Sequence, residues 1–218
     1  MNAHAPDHQH VADLEATLDF LNTAAPPDGS KGDDLASAGD AIGFLGGRGL
    51  GHADELGRQA QAAGEDAWLA RITAARDALR HVWDAQVEHR EPSNADLDIV
   101  NAVLREAPRI ELVMGDGCCG LGHRHTAIDP AGEALARLMT PFVDAVASGT
   151  TDRFRICAND GCRWVFRDTS RGGQRRWCDM TSCGNVAKVR RYRAKRREAA
   201  IEMVEIAGEP GGVLPLES

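Results

Sequence analysis

The chain has 218 residues, 43% of them hydrophobic and 27% charged, and a formal net charge of −8. That composition excludes a long disordered chain and leaves room for one good core, or for one core plus a small module that needs outside help to fold. The N-terminus lacks the cationic start and apolar run of a secretory signal, and no segment approaches the roughly 20 apolar residues that cross a bilayer, so the expectation is a cytoplasmic protein without a membrane partner.

In chain order, Val11, Leu14, Leu18 and Leu21 recur at helical spacing and predict a first helix, broken by "NTAAPPDGSKGDD". "DLASAGDAIGFLGGRGLGH" is a weaker helical stretch because glycine disfavours helix. The clearest predicted helix is "EDAWLARITAARDALRHVWDAQVEH", where Trp68, Leu69, Ile72, Leu79, Val82, Trp83 and Val87 fall near one face and read as core. Pro92 and Ser93 signal the next start, with Leu97, Val100, Val103 and Leu104 turned inward. "RIELVM" alternates as a strand, and the glycine-rich "GDGCCGLG" is expected to turn it back into "HRHTAI" as a small hairpin. "DPAGEALARLMTPFVDAVASG" predicts a helix from Asp129 or Pro130, bent at Pro141. A seam is expected at "SGTTD", Ser148 to Asp152.

Beyond the seam, Cys157, Cys162, Cys178 and Cys183 form C-x4-C, a 15-residue gap and C-x4-C. Thiols in a reducing compartment are poor candidates for a disulfide framework, and regular spacing points to metal or redox chemistry. Tetrahedral zinc takes four thiolates when two short loops each present a pair and the chain between them folds back. "RWVFRDTSRGGQRRW" supplies that return, with "RWVF" strand-like and "DTSRGGQ" rich in turn residues. The pairs are wider than the commoner C-x2-C, and no C-x-x-C redox motif is present. Four thiolates leave no open position, so the expectation is one structural Zn2+. The few large apolar groups nearby, chiefly Trp164, Val165, Phe166 and Trp177, make a marginal core that metal binding must stabilise.

Thr151 to Arg197 carries 14 Lys or Arg against 4 Asp, a local +10 that leaves −18 for the remainder. Within a Debye length of about 8 Å, that local sign is what a polyanion meets. "GNVAKVRRYRAKRREAAIEMVEIA" predicts a helix on which Val186, Val189 and Tyr192 share an arc able to pack on the zinc hairpin. Lys188, Arg190, Arg191, Arg193, Lys195, Arg196 and Arg197 are the candidate phosphate contacts. Arg175 and Arg176, together with Arg163, Arg167 and Arg171, extend the patch along the hairpin. The alternative is a solvated helix whose arginines pair with acidic groups of the same chain, including Glu198, Glu202 and Glu205.

At "RICANDGCRWVFRDTSR", "RRWCDMTSCGN" and "AKVRRYRAKRR" the chain resembles the CGNR zinc-finger family of proposed bacterial transcription regulators. "LDFLNT" with its helical continuation is similar to the alanine-rich ABATE domain that precedes the finger in such proteins. The resemblance implies a DNA-binding finger after a sensory or partner-binding domain. In place of the signature's arginine stands Val186, after Cys183, Gly184 and Asn185; Arg190 or Arg191, one turn on, are the expected substitutes for its contact.

The expected fold class is mainly α with a small β-hairpin. A helical ABATE-like domain spans 1–150, a zinc-ribbon-like hairpin and basic helix span 151–207, and 208–218 form a flexible tail. The expected function is a DNA-binding transcription regulator, with a small-molecule or protein effector at the N-terminal domain and a homodimer as further expectations. The alternative is a protein-interaction module whose basic helix docks on an acidic partner or on its own N-terminal domain. No nucleophile elbow, P-loop, dinucleotide fingerprint or H-E-x-x-H occurs, so no enzyme and no catalytic residues are expected. Cys118, Cys119, His123 and His125 in "CCGLGHRH" are candidates for a second metal or thiol site, whereas His4, His8 and His10 read as a solvated polar start.

Overall fold

The structure, a computed structural model, describes residues 13–107, 109–114, 119–124 and 129–207. The chain divides into two units, Met1–Arg176 and Trp177–Ser218.

The first unit is mostly helical. Helix α1 (Leu14–Leu21) begins where the Asp13 carboxylate accepts a hydrogen bond from the Ala16 N–H, and it buries Thr17, Leu18, Phe20 and Leu21. Helix α2 (Ala38–Gly46) forms despite its glycines, because the Ser37 hydroxyl caps it at the Asp40 N–H and Ala41 and Leu45 are buried. A separate helix, α3 (Ala53–Ala63), buries Leu56 and Ala60. Helix α4 (Glu65–Glu88) is the long predicted one. Trp68, Ile72, Leu79 and Trp83 are buried as expected, Leu69, Val82 and Val87 pack partly against the core, and the helix stops at His89, whose φ of 53° is left-handed. Helix α5 (Asn94–Leu104) is capped by Ser93 and buries Val100 and Val103.

Strands β1 (Arg109–Met114) and β2 (Cys119–Arg124) pair antiparallel, with Arg109 opposite Arg124 and Met114 opposite Cys119. The hairpin is therefore tighter than expected: "CGLGHR" belongs to the strand instead of the turn, the backbone ladder carrying Gly120 and Gly122 opposite Val113 and Glu111. Helix α6 (Pro130–Ala147), capped by Asp129, continues through Pro141 and buries Ala134, Leu135, Leu138 and Met139 completely.

Past the expected seam the chain returns to the same core. A second antiparallel pair, β3 (Phe154–Ile156) and β4 (Val165–Arg167), sets Phe154 opposite Arg167 and Ile156 opposite Val165. The Phe154 ring stacks on Trp83 with centroids 4.0 Å apart and an interplanar angle of 13°, and Phe142 completes the cluster. Val165 is fully buried in that core. Of "RWVF", read from sequence as strand-like, only Val165 and Phe166 lie in the strand, and its partner is the stretch before Cys157.

A cation is buried among the helices. Arg76 on α4 is 3% exposed; its guanidinium makes two 2.8 Å hydrogen bonds to the Asp33 carboxylate and a third, of 3.1 Å, to the Thr23 hydroxyl. Burial opposes its charge, but the hydrogen bonds it donates to Asp33 and Asp77 outweigh that and raise its pKa. The bond ties the α1–α2 loop to α4.

The second unit begins with a single π-helical turn, Met180–Gly184, and continues as α7 (Asn185–Ala207). No helix among the described residues is long and apolar enough to cross a membrane. The expected tail, 208–218, and the histidines of the start, His4, His8 and His10, lie outside the described residues.

Phe154→Ala, which empties the stack against Trp83, is expected to lower unfolding free energy by about 3–5 kcal/mol in urea titrations. Arg76→Ala is expected to cost about 3 kcal/mol by the same measurement, because it strands Asp33 and Thr23 without their donor.

Candidate metal centre and nucleic-acid interface

The first cysteine pair sits on the turn that joins β3 to β4. The Cys157 N–H donates to the Trp164 carbonyl (2.8 Å), and the N–H groups of Cys162 and Arg163 both donate to the Asn159 carbonyl (2.8 and 3.0 Å). Arg163 adopts a left-handed φ of 53°, rare for a residue with a side chain. Its carbonyl accepts from the Arg80 guanidinium, and its own guanidinium lies 3.4 Å from Glu88 and 3.6 Å from Asp84. Arg163 is therefore engaged with α4 and is withdrawn from the phosphate-binding patch to which the sequence assigned it.

A side chain from α1 reaches the same hairpin. The Asn22 carboxamide donates to the Val165 carbonyl and accepts from the Val165 N–H, both at 2.9 Å and both buried. Asn22 and Thr23 are the "NT" of "LDFLNT": one grips β4 and the other the buried guanidinium of Arg76. Sequence reasoning quoted that motif without finding either role; two small polar residues directly after an apolar helix were the available signal.

The loop after β4 is organised by Asp168, whose carboxylate accepts from the Ser170 N–H (2.9 Å), the Ser170 hydroxyl (2.6 Å) and the Arg175 N–H (2.8 Å). These bonds, that from the Ser170 side chain foremost, hold its pKa down at about 2 against an ordinary 3.8. The contribution is fully present above pH 4 and is lost as pH falls through about 2. The Arg176 carbonyl then accepts from the Ala158 N–H at 2.8 Å, which fixes the backbone before the second cysteine pair. Arg175 lies over the Phe166 ring, 5.0 Å from its centroid, and is half-buried, whereas Arg176 is exposed.

In the second unit the Asp179 carboxylate caps the π turn, accepting from the Thr181 N–H (2.8 Å) and hydroxyl (2.7 Å). The Asn185 amide donates back to the Thr181 carbonyl (2.8 Å). Gly184 is buried, and a Cβ there would meet the Met180 sulfur at 3.0 Å and the Trp177 ring at 3.4 Å. Glycine and asparagine after Cys183 are thus requirements of the turn: one makes room, the other closes the hydrogen bonds.

The sulfur atoms of Cys157, Cys162, Cys178 and Cys183 all lie within 4.8 Å of one another. Zn–S bonds of about 2.3 Å in a tetrahedron place sulfurs about 3.8 Å apart; Cys178 and Cys183 are 3.7 Å apart. The donor set fits a single structural zinc, closed by four thiolates, whose chemistry is to hold these loops together. Cys157 and Cys183 are buried, Cys162 and Cys178 half-buried. The other quartet, Cys118, Cys119, His123 and His125, lies outside the residues whose side chains are described.

Lys188, Arg190, Arg191, Arg193, Lys195, Arg196 and Arg197 are all exposed on α7. Among the described residues, Lys188, Arg191, Arg193, Lys195 and Arg197 form no ion pair, while Arg196 lies 5.9 Å from the Tyr192 ring centroid. Val186, Val189 and Tyr192, expected to pack on the hairpin, are 42%, 47% and 62% exposed. The hairpin's apolar residues, Phe154 and Val165, are spent on the helical core.

Two cavities flank the half-exposed Trp164 in the first unit. One, of about 270 Å³, is bounded by Pro26, Pro27, Lys31, Arg80 and Arg163; the other, of about 520 Å³, by Asp19, Asp34, Asp40, Phe44 and Arg48.

Residues 14–149 match the ABATE family, described as "Putative stress-induced transcription regulator", and residues 153–196 match the CGNR zinc finger family. No curated protein matches the chain.

Cys183→Ser is expected to abolish stoichiometric zinc binding, measured by metal analysis of the purified chain, where the unaltered protein gives one zinc per chain. Asn22→Ala leaves the Val165 N–H and carbonyl buried without partners and is expected to cost about 3 kcal/mol in unfolding free energy.

Proposed function

We propose that this chain, which belongs to the ABATE family described as "Putative stress-induced transcription regulator" and carries a CGNR zinc finger, binds duplex DNA through α7. The observation that carries this reading is the helix itself: exposed along its length from Lys188 to Ala200, it bears seven cations within ten residues. A helix that rested on its own acidic groups would have its arginines paired, yet five of those seven make no ion pair among the described residues. Rigidly based cations of this kind meet phosphates at a groove's walls and release condensed counterions.

The zinc supplies the base. The π turn that carries Cys183 leads without a break into α7, so a clamp on the sulfur fixes the start of the helix. The proposed activity is binding without catalysis, and the DNA is read in the reducing cytoplasm. Effector binding belongs to the first unit, where one of the cavities beside Trp164 is bounded by Cys162 and Arg163.

The test is a salt titration of duplex affinity with the zinc-loaded chain. With about six phosphates engaged, log affinity is expected to fall against log salt with a slope near −5, and the double substitution Arg191→Ala, Lys195→Ala to reduce that slope by about 2. A flat salt response, or an affinity for acidic polypeptides equal to that for DNA, would overturn the proposal in favour of a protein-interaction module.

A further inference from the structure

The exposed apolar stripe of α7 has no counterpart in phosphate binding. Successive helical residues turn by about 100°, so Val186, Val189 and Tyr192 fall within an arc of about 120°. Arg193 and Arg196 lie in that same arc, with Arg190 and Arg197 at one margin and Lys188 at the other. Ala187, the half-buried residue between Asn185 and Ala200, is outside it. The stripe therefore faces away from the one side of the helix that is covered, with cations interleaved and along both edges.

We propose that Val186, Val189 and Tyr192 read thymine methyl groups on the floor of a DNA major groove, and that Val186 gives this finger a preference for A·T where an arginine would select guanine. The inference rests on the DNA-binding reading above. It follows from matching the stripe to its possible occupants. A second copy docked on it would set Arg193 and Arg196 against their equivalents, like charge on like charge in a desolvated contact. A B-DNA major groove, about 12 Å wide, admits an α-helix and presents anions along both walls with the C5-methyl of thymine as the apolar group on its floor. That is the layout of α7 in negative relief. An arginine at position 186 would pair its fork with the O6 and N7 of guanine; valine has no donor and offers only apolar contact. Because Val186 is 42% exposed and the adjoining zinc-side turn is closed by Gly184 and Asn185, substitutions at position 186 change what the helix offers without disturbing its base.

The experiment selects a preferred duplex from a random pool with the zinc-loaded chain, then replaces its thymines one at a time by deoxyuridine, which removes the methyl and leaves base pairing intact. At one or two positions the replacement is expected to weaken binding by about three- to tenfold with the salt slope unchanged. Val186→Ala is expected to make binding indifferent to that methyl, and Val186→Arg to move the preference there to guanine, with zinc content unaltered in both. Tight, salt-dependent binding that ignores every deoxyuridine would overturn this inference and leave DNA binding standing. Failure to retain any duplex at low salt would sink the DNA-binding reading itself. A dimer in sedimentation velocity that Val189→Glu dissolves would identify the stripe as a self-association surface, and the proposal would fall.

Discussion

A hairpin with three residues in each strand cannot stand in water, and the architecture turns on how this one is supported. Phe154 and Val165 enter the helical core, where Phe154 lies flat against Trp83. Two short strands bury too little by themselves to offset the entropy of ordering them. By borrowing a core, the first cysteine pair acquires a rigid mount before any metal arrives. The left-handed Arg163 is tolerated for the same reason: Arg80, Asp84 and Glu88 hold it from α4.

The second cysteine pair has a different kind of support. Its unit offers few apolar contacts, and α7 is exposed on nearly every residue described. Order there comes from polar closure, with Asp179 capping the turn and Asn185 tying it shut, and from the sulfurs. A helix so placed is unsuited to building a core, and its cations and apolar stripe are both left for a partner to use.

What was legible in the sequence was local. The four cysteines announced themselves by spacing, α4 by its period, and the cationic run of α7 by composition. The remainder depended on partners far away along the chain. Nothing in the helical pattern marked Arg76 as buried; its partners, Asp33 and Thr23, lie 43 and 53 positions earlier. Three-residue strands carry no readable period, so Phe154 gave no hint of its place against Trp83. For α7 the arc of Val186, Val189 and Tyr192 was read correctly, but periodicity tells which residues share a side and not what lies opposite.

The grip of Asn22 on Val165 has one more implication. Hydrogen bonds from the β4 backbone toward β3 leave the Val165 amide and carbonyl pointing to the sheet's open flank, where an extended peptide from another molecule would otherwise add a strand. The carboxamide fills both valences with a single side chain and so imitates a neighbouring strand one residue long. A two-stranded sheet sealed in this way is protected from edge-to-edge growth at the very point where it carries its metal ligands.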